Sequence, residues 1–316
     1  MKPFNLFPYD LNIHFMRLRW VSLVIAAAIM FVGIGAMFTN GFNFALDFTG
    51  GTSVELRFAK PVKVDDVRSR LDSAGFHNAQ VQTFGSGNDL LVRLQPREGV
   101  GQQDTSQTAD QVQKVATTAT NPAQLLRSGY VGPQIGKELA LNGIYALLFV
   151  VLGFLIYISF RFEWKFAVAA IITTLHDVVV VAGWFALTGH EFDLTVLAGV
   201  LSVMGYSIND TIVVFDRVRE NFRLVRAEPR EVLNRSINQT LSRTVITSFV
   251  AFLTVLALYL YGGGSLQGMA EAQMIGIIIG TLSSIFVACP LLLWLGVSKQ
   301  DLMPKARDDE ALARRP

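Results

Sequence analysis

The stretch LTVLAGVLSVMGYSINDTIVVFDRVREN, residues 194–221, decides the fold. Residues 194–215 are almost wholly apolar, long enough as a helix to cross about 30 Å of hydrocarbon. They end in Asp216, Arg217, Arg219 and Glu220, as expected where a membrane helix meets water. Inside that span sits Asp210. A carboxylate at membrane depth is costly and rarely faces lipid, which by default points to an ion or proton path. Tyr206 and Ser207 lie one turn earlier, Asn209 adjoins it, and Gly199 and Gly205 suit close helix approach, so these residues are the expected packing around the acid. The alternative is a structural Asp that only hydrogen-bonds a neighbouring helix.

Composition agrees with a membrane reading. The 316 residues are 51% hydrophobic and 16% charged, and the mean hydropathy is +0.41, too apolar for an ordinary soluble domain. The net charge of +2 says little, because orientation follows where Lys and Arg lie in short loops. A single cysteine, Cys289, excludes an internal disulfide and a cysteine-based metal cage. The first apolar run follows Arg17 and Arg19 and lacks a small-residue cleavage pattern, so it reads as a retained helix.

Taken outward from residues 194–215, the chain divides into a polar lead-in (1–19), a first span (20–38) anchored by Trp20, and a charged insert (39–138). Five more apolar runs follow, at 139–160, 166–187, 194–215, 244–261 and 272–297, with an Arg-rich loop and helix start at 216–243 and a tail at 298–316. The fold class is an α-helical polytopic membrane protein. Six transmembrane helices carry one small α+β domain between helices 1 and 2. In that insert, Val54, Leu56 and Phe58 alternate with polar residues over strand 52–58, and Val64, Val67 and Leu71 are spaced for a helix ending at Gly75. Residues 79–84 and 89–95 read as strands joined by GSGN, residues 97–108 as a loop and 109–126 as a weak helix, a split-βαβ pattern. No metal-ligand or nucleophile spacing occurs in the insert, so it is expected to move or bind, and no catalytic residues, metal or cofactor are expected anywhere in the chain. We therefore expect that the protein is not an enzyme.

Arg161 and Lys165 flank one turn, Arg217, Arg219, Arg223, Arg226, Arg230 and Arg235 fill another, and Lys299, Lys305, Arg307, Arg314 and Arg315 lie in the tail. Residues 188–193 and 262–271 carry no Lys or Arg. Both termini and the Arg-rich loop are thus expected to be cytoplasmic and the insert to lie on the outer side. The Arg-rich loop also contains Glu220, Glu228 and Glu231, and its topology signal explains it without nucleic acid.

His176 and Asp177 fall near the middle of the third span, after Thr173 and Thr174. They form either a proton relay or a packing cluster satisfied by Ser and Thr partners. Arg243, in the polar opening of span five, falls at a depth compatible with Asp210. If the two meet, the pair couples conformation to protonation; the alternative is an interfacial Arg that snorkels to headgroups. No GxxxxGK[ST] loop is present, so energy is expected from a gradient or a partner.

LDFTGGT (46–52), VGPQIGKEL (131–139), HDV (176–178), GYSINDTIVVFDRVREN (205–221) and SINQTLSRT (236–244) occur in that order. Together they resemble the SecF branch of the SecD/SecF protein-export family, within the resistance-nodulation-division superfamily. The resemblance covers nearly the whole chain through span six, although residues 95–124 match no motif. It implies a ferredoxin-like periplasmic domain and a place in the bacterial inner membrane. It also implies partnership with SecD and the SecYEG channel, and use of the proton-motive force to draw a translocating preprotein outward. The family's membrane carboxylate falls on Asp210 and its basic partner on Arg243, with Asp177 a weaker third member. Two other readings stay open: a non-conducting scaffold, and a small-molecule exporter component of the same superfamily.

Overall fold

Apolar runs become six helices long enough to cross a membrane, Phe15–Thr39, Gln134–Arg161, Trp164–Thr188, Leu194–Leu224, Pro229–Tyr261 and Leu266–Trp294. The structure, a computed structural model, describes residues 12–77, 79–84, 88–94 and 105–302. Of the sequence expectations, the lead-in before residue 12, most of the GSGN turn, loop 97–104 and the tail basic residues from Lys305 onward lie outside the described residues.

Helix α1 (Arg19–Thr39) follows a 3-10 turn, Phe15–Leu18. A short strand β1 (Asn43–Phe44) and a single turn α2 (Leu46–Thr49) lead into the insert. There β2 (Gly51–Phe58), α3 (Val64–Ser73), β3 (Gln80–Phe84), β4 (Asp89–Leu94), α4 (Thr105–Ala116) and β5 (Ala123–Val131) follow in turn. The sheet is antiparallel with order β3-β4-β2-β5, and β2 pairs Thr52 with Leu94 on one side and Gly51 with Val131 on the other. Val54, Leu56 and Phe58 point into a core closed by Val67 and Leu71 of α3 and by Ala109, Val112 and Ala116 of α4. The alternation read along β2 is therefore its buried face.

The second half of the insert differs from the sequence reading. The helix expected over 109–126 is shorter and earlier, Thr105–Ala116, because Thr118 and Asn121 bridge into a turn before Pro122. Residues 123–131 form the edge strand β5. Only Ala123 in β5 is fully buried, so its sequence shows no clean two-residue alternation.

Helices α5 (Pro133–Arg161), α6 (Trp164–Thr188), α7 (Leu194–Leu224), α8 (Pro229–Tyr261) and α9 (Gly264–Ser283) form the rest of the bundle with α1. Several outrun their apolar segments. Pro133 and Pro229 supply preset helical φ at the first turns of α5 and α8, and α7 continues through the charged residues Arg217 and Arg219 into water. After α9 the backbone makes a π-turn, Ser284–Ala288, before α10 (Cys289–Trp294). Pro290 has no N–H and its ring crowds the carbonyl four residues back, so an inserted residue relieves the ladder there. The parallel pair β1 and β6 (Glu191–Phe192), with Asn43 opposite Glu191, ties the root of the insert to the α6–α7 connection.

Helices α6, α7 and α9 form the centre, while α1, α5 and α8 flank them with largely exposed apolar faces. Small residues set the spacing. A methyl group on Gly183 of α6 would lie 2.5 Å from the Cα of Gly33 in α1, and one on Gly276 of α9 would lie 2.1 Å from Val203 of α7. Gly199 also meets α9 closely, but Gly205 faces open space with nothing within 4 Å, so it does not create the expected close approach. Two apolar clusters stack along the bundle. One, at the Arg-rich end, contains Phe162, Phe166, Phe215 and Ile237; the other, toward the insert, contains Val181, Phe185, Val196, Val200 and Val203.

Candidate functional site

Between those two apolar clusters every central helix turns polar. α6 contributes Thr173, Thr174, His176 and Asp177, α7 contributes Ser207, Asp210 and Thr211, α8 contributes Thr244 and Ser248, and Ser283 and Ser284 come from the end of α9 and the π-turn. Ser207 and Asp210 are three residues apart on α7 and so share a face.

Two carboxylates occupy this layer. Asp177, fully buried, accepts hydrogen bonds at Oδ2 from Ser207 (2.5 Å) and Ser283 (2.7 Å). Its Oδ1 lies 2.9 Å from Nδ1 of His176. Asp210 accepts from Thr244 at Oδ1 (3.0 Å) and from Ser284 at Oδ2 (2.9 Å). The adjacent serines at the π-turn thus divide between the two acids, Ser283 to one and Ser284 to the other. The π-turn breaks the helical register where this division occurs. A second ring of hydroxyls supports the first: Tyr206 and Thr281 each donate to Ser248 at 2.7 Å, and Ser248 donates to the carbonyl of Thr244 at 2.7 Å.

Arg243 sits elsewhere than a contact pair requires. It immediately precedes Thr244, its side chain is exposed, and among the described residues no ion pair within 4 Å joins it to Asp210. Its expected partner meets a threonine and a serine instead. Asn209 is also exposed, while Tyr206 and Ser207 belong to the network. The sequence reading missed Ser283, Ser284 and Thr281. Three hydroxyls within four residues of an otherwise apolar span, followed by Pro290, are the signal that points to them.

Hydroxyl partners matter chemically. A serine or threonine donates to a carboxylate but also accepts from a carboxylic acid by rotating its O–H, whereas a guanidinium only donates. Both acids are therefore compatible with either protonation state without losing their partners. Of the buried polar atoms, His176 Nε2, Thr174 Oγ1 and Thr211 Oγ1 have no partner among the described residues.

Residues 111–298 match the family described as protein export membrane protein SecD/SecF, C-terminal, and residues 35–62 match the SecD/SecF GG motif. A protein translocase subunit SecF from Pseudomonas aeruginosa is 44% identical over 94% of this chain and 96% of its own length. One from Escherichia coli O157:H7 is 42% identical over 94% and 92% respectively. The crystal structure of SecDF, a translocon-associated membrane protein from Thermus thermophilus, superposes with a TM-score of 0.83 at 38% identity, covering 92% of this chain and 39% of that longer one. A SecDF crystal structure in a super-membrane-facing form gives 0.63 at the same 38% identity over 93% of this chain and 40% of its own.

Proposed function

The chain belongs to the SecD/SecF family of protein-export membrane proteins, and from that premise we propose that it is the SecF-type subunit of a proton-driven auxiliary of protein export. Its partners on this reading are SecD and the SecYEG channel, and its cargo is a translocating preprotein. It carries out no bond chemistry of its own and needs no cofactor, because the energy enters as protons.

The observation that carries this reading is the polar layer. Two buried acids, held by hydroxyls and walled above and below by apolar clusters, are suited to take up and release a proton while the two sides of the membrane stay separated. Arg and Lys crowd the Arg161–Lys165 and 216–235 ends, so that end is assigned to the cytoplasm of the inner membrane and the insert, a ferredoxin-like module, to the periplasm. The difference in superposition between the two SecDF structures at equal identity supports a family that occupies more than one arrangement. Proton uptake at Asp210 is then the event that shifts α7 and α8 and moves the insert. Arg243, exposed one residue before Thr244, supplies a positive field close to the acid.

The test is Asp210→Asn in the assembled complex. Asparagine keeps the size and both contacts, one of them with the hydroxyl turned to accept from the amide N–H, but cannot ionise. Assembly is expected to be normal while the gradient-dependent part of preprotein export disappears. Normal gradient-dependent export from well-assembled Asp210→Asn membranes would instead leave the chain a non-conducting scaffold.

A further inference from the structure

Arg93 lies on β4 of the insert and is 4% exposed, yet it has no carboxylate partner within the insert's own sheet among the described residues. Its partner is Glu191, in β6 of the α6–α7 connection, with which it forms an ion pair. A buried arginine is tolerated only where charge opposes it. Burial draws its pKa down to about 10, against the pull of the Asp193 and Asp47 carboxylates nearby. Those two acids do a second job. Asp193 caps α7, accepting from the Val196 N–H at 2.7 Å, and Asp47 of α2 accepts from the Leu194 N–H at 3.3 Å. The first free N–H groups of α7 are therefore held by the same acids that surround the arginine of the insert.

Gly50 and Gly51 have φ of 71° and 126°, values that other residues rarely adopt. A methyl group on Gly51 would also lie 2.3 Å from the Leu94 carbonyl oxygen. A charge contact onto the start of the helix that carries Asp210 thus adds to the β1–β6 pair in holding the sheet against the bundle on this side. From Leu194 to Asp210 is about 24 Å along one continuous helix.

We propose that Arg93 is the coupling residue of this chain, clamping the insert to the N-terminus of α7 through Glu191 and the flanking Asp193 and Asp47. The clamp holds in the arrangement described and opens when the insert moves. Motion of α7 and motion of the insert are linked through it. The inference rests on the proton-driven reading above.

Two measurements on the assembled complex test it separately from that reading. Spin labels at Ser69→Cys in α3 and Thr188→Cys at the end of α6, both exposed, report the distance between insert and bundle, while the buried Cys289 stays unlabelled. The unaltered clamp is expected to give one narrow distance distribution. Arg93→Gln is expected to add a second population and to lower gradient-dependent export about tenfold, the scale of a typical coupling between sites. Arg93→Lys, which keeps a positive charge among Glu191, Asp193 and Asp47, is expected to retain the narrow distribution and most of the export. If Arg93→Gln does not assemble, Glu191→Gln removes the same pair from the bundle side and is read in its place. A distribution unchanged by loss of the pair, or one that Arg93→Lys broadens as much as Arg93→Gln does, overturns the clamp. Should Asp210→Asn leave export intact, the proton-driven reading falls, and the distance measurement alone then decides the clamp.

Discussion

Asp89 of the insert and Asp210 of the bundle are equally buried, each 6% exposed, but they are held by different chemistry. Asp89 receives a two-pronged contact from Arg57, at 2.7 Å from Nε and 2.9 Å from Nη2. Asp210 receives one hydroxyl on each oxygen. The guanidinium cannot accept a proton back, so the hydrogen bond from Arg57 holds Asp89 below the ordinary carboxylate range. The hydroxyls around Asp210 donate to its carboxylate but can also turn to accept from the protonated acid. On the proposed function one region keeps its charge and the other exchanges it, a difference that burial, equal in the two, does not reveal.

The largest effect that probes the contrast is Asp210→Asn, which is expected to remove gradient-dependent export while the equivalent Asp89→Asn leaves it in place; both are read by preprotein protection in energised vesicles. Next, Ser284→Ala strips one of the two hydroxyls from Asp210. Leaving a buried polar group without its partner costs about 1–3 kcal/mol, so export is expected to slow about tenfold, with Ser284→Thr restoring most of it. Equal rates in the alanine variant would show that the hydroxyl is dispensable. A steric control comes third. Gly183→Ala wedges α1 away from α6 without touching either acid. It is expected to lower the unfolding midpoint by the few degrees that about 1–3 kcal/mol of overpacking produces. Its gradient dependence is expected to stay intact; loss of that dependence would mean the acids respond to any packing defect.

The smallest effect concerns pH at Asp89. Its native pKa is lowered from the ordinary 3.8, so the pair contributes stability that is fully present above that value and is lost as pH falls through the native one. Hydrogen exchange of the β2–β4 amides is therefore expected to accelerate in acid, below pH 3.8, and Asp89→Asn is expected to remove that acceleration. An identical acid response in the variant would assign it to other groups.

Six helices were legible in the chain because apolar runs and Lys/Arg-rich turns are local features. Asp177 and Asp210 stood out for the same reason, as charges where charge is rare. What was not legible depended on distance in sequence or on a broken repeat. Ser283 and Ser284 read as neutral within an apolar run, and only the π-turn before Pro290 aims them at two different helices. Arg93 looks like an ordinary solvated strand residue until β6 is brought against the sheet. Arg243 shows the opposite error. Depth along two helices suggested contact with Asp210, but depth does not fix which way a side chain faces, and its neighbour Thr244 holds the inward position. In the insert, β5 escaped notice because an edge strand with most side chains exposed carries no alternating pattern.

The central claim is that Asp210 changes ionisation during the working cycle. Infrared difference titration of the assembled complex in lipid, reading the protonated-carboxyl band in the native chain against Asp210→Asn, tests this directly. The account expects a band that appears on acidification, vanishes on return and is missing in the variant. A spectrum identical in both proteins across the range in which export operates would contradict it.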